Sequence, residues 1–278
     1  MLQQTRVAAV VPYYERFLER FPDAGRLARA RLETVLALWS GLGYYRRARM
    51  LHEAAKRIAK EGFPETAAGL RALPGVGEYT ANAVASIAFG EPAAAVDGNV
   101  ERVLSRLHAI VRDRKRVREL AAAWVPPRAP GDHNQALMEL GATVCTPRAP
   151  RCDACPLLAH CRGRADPGRY PAPRARTRQV AEKRRVAYAS RDGKVFLRQN
   201  PEEVRPAALW DLPPARDGRR PLATVRHSIL DRRLTITVHA APASGAGRWF
   251  SRRQVDALPL AAAARKCLES VGFLPSGR

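Results

Sequence analysis

The sequence predicts an all-α region followed by a smaller α+β module. Apolar residues recur at helical spacing up to about residue 162, and strand-like alternation begins only after residue 185. Between them lies a stretch rich in arginine and proline. The chain has 278 residues, room for two domains of ordinary size. Hydrophobic residues make up 46% and charged residues 27%, a globular balance. A chain of this length buries a core without disulfide staples.

The elements follow in order. The first 20 residues mix Arg6, Glu15, Arg16, Glu19 and Arg20 with short apolar stretches, so no signal peptide is expected there. No apolar run approaches the roughly 18 residues of a membrane-spanning helix. Ala48, Leu51, Ala55 and Ile58 fall on one side of a predicted helix over 48–60. Val100, Val103, Leu104, Leu107 and Ile110 do so over 100–110. Phe21-Pro22, Phe63-Pro64, Leu73-Pro74-Gly75 and Gly90-Glu91-Pro92 punctuate the helices.

Residues 163–185 read as a basic linker, in which Pro167, Pro171 and Pro173 prevent a regular helix. It is either a solvated tether or a strap along a phosphate backbone. From 186 to 278 the texture is α+β. Val186-Ala187-Tyr188 and Val195-Phe196-Leu197 flank Arg191-Asp192-Gly193, a hairpin signal. Leu234-Thr235-Ile236-Thr237-Val238 alternates as a strand, and 252–271 returns to helix.

Charge narrows the partner. Forty-eight basic residues face 26 acidic ones, a net charge of +22. Such a surface attracts polyanions, of which nucleic acid is the commonest. Only six of the basic residues are lysine, and alanine is abundant. A GC-rich genome inflates both arginine and alanine, so charge alone leaves a compositional origin open.

Cys145, Cys152, Cys155 and Cys161 form a C-x6-C-x2-C-x5-C loop. Cysteines this dense in a chain without secretory features point to a metal rather than to disulfides. Zinc sites usually pair two C-x2-C units across a longer loop. One short loop carrying four thiolates suits a cubane iron–sulfur cluster, with zinc as the alternative. Cys267 stands apart on an apolar helical pattern, as a buried structural thiol does.

Leu73-Pro74-Gly75-Val76-Gly77 lies between two helical stretches. It is either a plain inter-helix turn or a phosphate-cradling hairpin whose glycines bare backbone amides. In a basic chain, helix, L-P-G-V-G, helix is the pattern of a helix-hairpin-helix DNA-binding element. Asp97 sits where the 100–110 helix begins. It reads as an N-cap or as a carboxylate held beside a DNA sugar.

Five motifs occur in sequence: M-L-Q-Q-T at 1–5, G-L-G-Y-Y at 41–45, L-P-G-V-G-E-Y-T-A at 73–81, V-D-G-N-V-x-R-V-L at 96–104, and the cysteine loop. Together they resemble the adenine DNA glycosylases of the MutY family, densely over 1–162. The match is looser over 186–278, where Leu209-Trp210-Asp211-Leu212-Pro213 and Val225-Arg226-His227-Ser228 resemble that family's Nudix-like domain. The hairpin, Asp97 and the cysteines are shared with the wider endonuclease III superfamily.

The resemblance implies a helical DNA glycosylase domain over 1–162, with a [4Fe–4S] cluster on the loop at 145–161, and a lesion-recognition domain over 186–278. It implies base-excision removal of adenine opposite 8-oxoguanine or guanine in double-stranded DNA, by a cytoplasmic, nucleoid-associated bacterial monomer. The adenosine is flipped out of the stack. Asp97, Tyr79 and Asn99 fall at catalytic positions, with Asp97 stabilising an oxocarbenium-like sugar. Gln3, Gln4, Thr5, Tyr44, Leu73, Gly75, Val76, Gly77, His227 and Ser228 fall at DNA-contacting positions, Gln4 and Tyr44 as wedges in the stack.

Relatives that also cleave the strand carry a lysine where this chain has Tyr79. A phenol forms no Schiff base, so monofunctional chemistry is expected. Thymine-mismatch glycosylases also carry a tyrosine there but usually lack the C-terminal domain. They, oxidised-pyrimidine glycosylases and a non-catalytic DNA-binding iron–sulfur protein are the alternatives.

Two departures stand out. Family members carry a Phe-Ser-His element after Arg-His, where this chain has Ile229-Leu230-Asp231. Either Ser228 or His227 takes over, or preference for 8-oxoguanine is weaker than in relatives. The family's general acid is a glutamate two residues before the methionine of M-L-Q-Q-T. That methionine is Met1 here, so the expectation is a misplaced start, with the chain as written nearly inert.

Overall fold

The computed structural model describes residues 1, 5, 7–173, 179–201, 209–215, 220–229 and 232–275. In chain order the helices before the first strand are α1 (Val7–Arg20), α2 (Ala24–Arg29), α3 (Leu32–Leu38), α4 (Arg46–Glu61), α5 (Ala67–Arg71), α6 (Glu78–Phe89), α7 (Gly98–Leu107), α8 (Arg114–Trp124) and α9 (Pro130–Thr143). Then come β1 (Val180–Tyr188), β2 (Ser190–Arg191), β3 (Lys194–Gln199), β4 (Trp210–Asp211), β5 (Ala223–Ile229), β6 (Arg232–Ala240), β7 (Arg248–Ser251), α10 (Arg252–Asp256) and α11 (Ala262–Ser270).

The chain forms two compact units. One is Arg57–Ala175; the other joins Met1–Lys56 to Arg176–Arg278. The N-terminal helices therefore group with the C-terminal module rather than with the rest of the helical region. Their apolar side chains explain the grouping. Phe17, Trp39 and Leu42 belong to the same buried cluster as Leu197, Ile236 and Leu268. Tyr45 donates its hydroxyl to the Leu260 carbonyl at 3.2 Å.

In the helical unit, Val100, Val103, Leu104 and Leu107 are buried on one face of α7, as their spacing predicts. Val117, Ala121 and Leu137 complete that core from α8 and α9. Asp113 and Thr66 cap α8 and α5 with their side chains. The face predicted on α4 is rotated. Ala48 and Ala55 are buried, but His52 takes the inward place expected of Leu51, which is 39% exposed. Spacing alone does not distinguish the two, because both lie within one turn of the alanines.

In the other unit, β1 pairs in parallel with β6, and β6 pairs antiparallel with β5, giving the order β1-β6-β5. Leu234, Ile236 and Val238 of β6 face inward, as their alternation predicts. The predicted hairpin forms between β2 and β3, with Asp192 and Gly193 at φ 51° and 69°. Both angles are the left-handed values that a two-residue turn requires. Its first arm is Ser190–Arg191; Val186–Tyr188 belongs to β1 instead. Helix 252–271 is broken, with α10 and α11 separated around Pro259.

The basic linker over 163–185 is structured at both ends. The Gly163 amide donates to the Arg106 carbonyl at 2.8 Å and that of Ala172 to the Val111 carbonyl at 2.8 Å, which fastens this end to the helical unit. Residues 180–185 are the start of β1. Glu182, paired with Arg184 at 2.7 Å and Arg232 at 2.8 Å, offsets the cations there. The exposed, charged first half of β1 hides its strand character from a periodicity reading.

Two α9 glycines allow close helix crossings. A Cβ on Gly131 would stand 2.8 Å from both the Ile87 Cα and the Ser86 carbonyl oxygen of α6. Backbone must move to relieve that clash. Gly131→Ala is therefore expected to destabilise the protein by about 1–3 kcal/mol in chemical denaturation. Gly98→Ala, whose Cβ would meet nothing within 4 Å, should change stability little.

Candidate nucleic-acid and base-release site

The hairpin begins where Thr66 Oγ1 accepts the Gly69 amide at 3.1 Å and starts α5. Leu73 is buried and anchors the turn, its carbonyl accepting the Val76 amide at 3.2 Å. Gly75 has φ 76°, a conformation that disfavours any side chain. Gly77 caps α6 with no side-chain bond. Its φ is ordinary at −88°, and a Cβ there would meet nothing within 4 Å. Neither backbone nor packing within the chain requires glycine at 77. Its effect is to leave the positive end of α6 bare on its outer side, which suits an approaching phosphate.

Asp97 is placed from both sides. The segment before it is pinned by two asparagines. Asn82 Nδ2 donates to the Ala94 carbonyl at 2.8 Å. Buried Asn134 donates to the Ala93 carbonyl at 2.9 Å and to Ser86 Oγ at 2.8 Å, and accepts the Ala95 amide at 3.1 Å. Asp97 then caps α7. Its Oδ1 accepts the Asn99 and Val100 amides, both at 2.8 Å. Its Oδ2 accepts Asn99 Nδ2 at 2.9 Å. The capping geometry is therefore real, and it uses one carboxylate oxygen while the other keeps a single partner among the described residues.

Asn99 is fixed in turn. Its Oδ1 accepts Arg102 Nη2 at 2.9 Å. Arg102 also donates to the Gly141 carbonyl at 2.6 Å and, through Nε, to the Cys145 carbonyl at 2.8 Å. Burial and the neighbouring Arg106 guanidinium pull Arg102 below the usual arginine range. Gly141 abuts this group, since a Cβ on it would lie 2.6 Å from Asn99 Cβ. Tyr79, on the first turn of α6, donates its hydroxyl to Met138 Sδ at 3.4 Å. Burial, and then the negative charge of Asp97, push its pKa up, so it stays a neutral phenol.

The four cysteines of 145–161 carry free thiols and line one cavity, together with Leu107, Leu140, Leu157 and Arg106. Short 3-10 turns at Cys152–Ala154 and Leu158–His160 curl the loop around it. Among the described residues, no three His, Cys, Asp or Glu side chains converge as one bound ion would require. Cys267 is buried and pushed up to about 12 by burial and then by Asp211, an inert thiol in the core.

In the other unit, Tyr44 lies in the glycine-rich turn between α3 and α4, 46% exposed and at φ 49°. Arg47 sits 5.3 Å from its ring and 5.4 Å from that of Trp39, and donates to Thr5 Oγ1 at 3.1 Å. Tyr44 and Thr5 are thus tied to one guanidinium. His227 and Ser228 are adjacent on β5 and point to opposite faces. Ser228 is exposed; His227 is half-buried, its pKa lowered by burial and by Lys266. Gln3, Gln4, Leu230 and Asp231 lie outside the described residues.

Periodicity did not single out Asn82, Asn134, Arg102, Arg106 or Gly141. Only the two arginines left a sequence signal: cations one turn apart, Arg106 between the buried Val103 and Leu107.

Comparison with known proteins agrees with this geometry. The family model described as "HhH-GPD superfamily base excision DNA repair protein" matches residues 1–127. An adenine DNA glycosylase of Rattus norvegicus is 50% identical over 184 residues, covering 62% of this chain and 36% of that protein. The chain thus spans about a third of that relative's length. A solved thermostable thymine-DNA glycosylase is 29% identical with a TM-score of 0.54, covering 58% of this chain and 79% of that one. A non-covalent endonuclease III–DNA complex is 30% identical with a TM-score of 0.52, covering 58% of this chain and 78% of that one. The chain belongs to the HhH-GPD superfamily of base excision DNA repair proteins and is similar to the adenine DNA glycosylases within it.

Proposed function

We propose that the protein is a monofunctional adenine DNA glycosylase, acting on adenine opposite 8-oxoguanine or guanine in duplex DNA. The observation that carries this reading is the Asp97 carboxylate. It is fixed by two backbone amides and the Asn99 amide, beside a tyrosine where an amine nucleophile would stand. Adenine rather than thymine is favoured by 50% identity to an adenine DNA glycosylase against 29% to a thymine-DNA glycosylase.

The chemistry follows from the charges. The flipped nucleotide's bond between C1′ and the purine nitrogen breaks, and the bonding electrons leave with the base, which departs neutral once protonated. The sugar is left cationic. Asp97 Oδ2 opposes that charge at close range, held in place before the reaction by its amide partners, as a preorganised carboxylate must be. Water then adds at C1′ and releases a proton to solvent, balancing the proton that solvent delivers to the departing base. Tyr79 is a neutral phenol and attacks nothing. The Gly75–Gly77 turn holds a phosphate through backbone amides, and Tyr44, exposed on its strained turn, is the stacking wedge. The C-terminal module is read as a Nudix-like lesion-recognition domain, in which exposed Ser228 is better placed than half-buried His227 to meet the opposite base.

The cysteine cavity fits a [4Fe–4S] cluster. Its four donors are all thiols, and its walls are largely apolar. Cys145, Cys152, Cys155 and Cys161 would hold the cluster, which would order the loop. Base release itself rests on Asp97 and its supports.

Four outcomes test this reading. Duplexes with adenine opposite 8-oxoguanine or guanine should yield alkali-labile sites; release of thymine opposite guanine instead, or of no base, would contradict it. Asn is as good a helix cap as Asp, so Asp97→Asn should keep fold and duplex binding while base release falls about a hundredfold or more. Borohydride should trap little protein on the DNA, whereas strong trapping would place an amine at C1′. The purified protein should be brown, with iron and acid-labile sulfide lost in Cys155→Ala. A colourless protein with one zinc would overturn the cluster.

A further inference from the structure

Arg106 of α7 is 3% exposed, and among the described residues no other arginine or lysine is buried. Its guanidinium is surrounded by carbonyls. Nε donates to Pro167 at 2.9 Å and Tyr170 at 3.2 Å. Nη1 donates to Thr146 at 2.8 Å and Cys145 at 3.3 Å, and Nη2 to Pro147 at 3.1 Å. Nη1 also reaches Cys145 Sγ at 3.3 Å.

These bonds satisfy the donors without neutralising the charge, because none of the partners is a carboxylate. Arg102, one turn earlier, donates to the same Cys145 carbonyl at 2.8 Å, so a second cation stands on this face. A buried cation without a counter-ion is strongly unfavourable. Arg106 and all four loop cysteines line the same cavity, so thiolates there would supply the opposing charge.

We propose that Arg106 is the counter-charge of the four-thiolate cofactor site: its buried positive charge retains the iron–sulfur cluster, and the cluster neutralises the guanidinium. This rests on the cluster reading given above. It assigns Arg106 more than bracing of the 145–147 and 167–170 backbone. Bracing needs donors in the right places; retention needs charge.

Arg106→Lys and Arg106→Met separate the two. Both lose the guanidinium fork, but only lysine keeps the charge. The test measures iron and acid-labile sulfide per chain and the rate at which a ferrous chelator removes iron, with circular dichroism as the check on folding. Arg106→Lys should retain iron near the wild-type level, and Arg106→Met should lose it about tenfold faster or more, as changes beside metal ligands do. Full retention by Arg106→Met, or equal loss from both variants, would overturn the proposal. Should the methionine variant not fold, the lysine variant alone decides, because loss of most of its iron also overturns it. A wild-type protein without iron would instead refute the cluster reading.

Discussion

The helical unit depends on the pair of hydrogen bonds between Asp97 Oδ1 and the first free amides of α7, both 2.8 Å long. A helix start is the one place where a carboxylate is stabilised by backbone alone. Capping there fixes where α7 begins and so which side chains face the core. Val100, Val103, Leu104 and Leu107 fall inward from that start. Arg102 and Arg106 then fall toward the cysteine loop. One cap thus sets the register of both the carboxylate and the loop's main support.

The same helix separates opposite charges. Its N-terminus carries the carboxylate that the proposed chemistry needs. Its flank carries two guanidinium groups at the cysteine loop, partly exposed Arg102 and buried Arg106. Asn99 and Arg102 join the two regions through bonds of 2.9 and 2.8 Å, and Gly141 leaves room for that joint. The α6 terminus adds a third polarity, a bare patch of amide dipoles at Gly77. A net charge of +22 attracts polyanions in general. These local arrangements decide what is done with them.

Much of this was legible because it is local. The α7 stripe, the L-P-G-V-G turn and the cysteine spacing are short-range patterns, and the structure displays each. The position of Asp97 in sequence suits either a cap or a catalytic carboxylate, and capping occupies only one of its two oxygens. What was illegible is tertiary. Asn134 looks like an ordinary polar residue until its amide is seen pinning Ala93 and Ala95. Gly141 looks like a weak point in a helix until α7 is seen against it. His52 replaced Leu51 inside α4 because neighbours, not spacing, chose the face. The charged, exposed start of β1 carries a linker's pattern, and only its pairing with β6 makes it a strand. The N-terminal helices joined the C-terminal module through side-chain contacts that no linear pattern records.

The central claim is that Asp97 opposes a positive charge developing on the deoxyribose. The most direct measurement is the affinity for two duplexes that differ only in charge at that sugar, opposite 8-oxoguanine. One carries a cationic pyrrolidine ring and the other a neutral tetrahydrofuran. The account predicts that the cationic duplex binds tighter by about a hundredfold or more, as a transition-state mimic should, and that Asp97→Asn abolishes most of the difference. Equal affinity for the two duplexes, or a difference unchanged in Asp97→Asn, would contradict it.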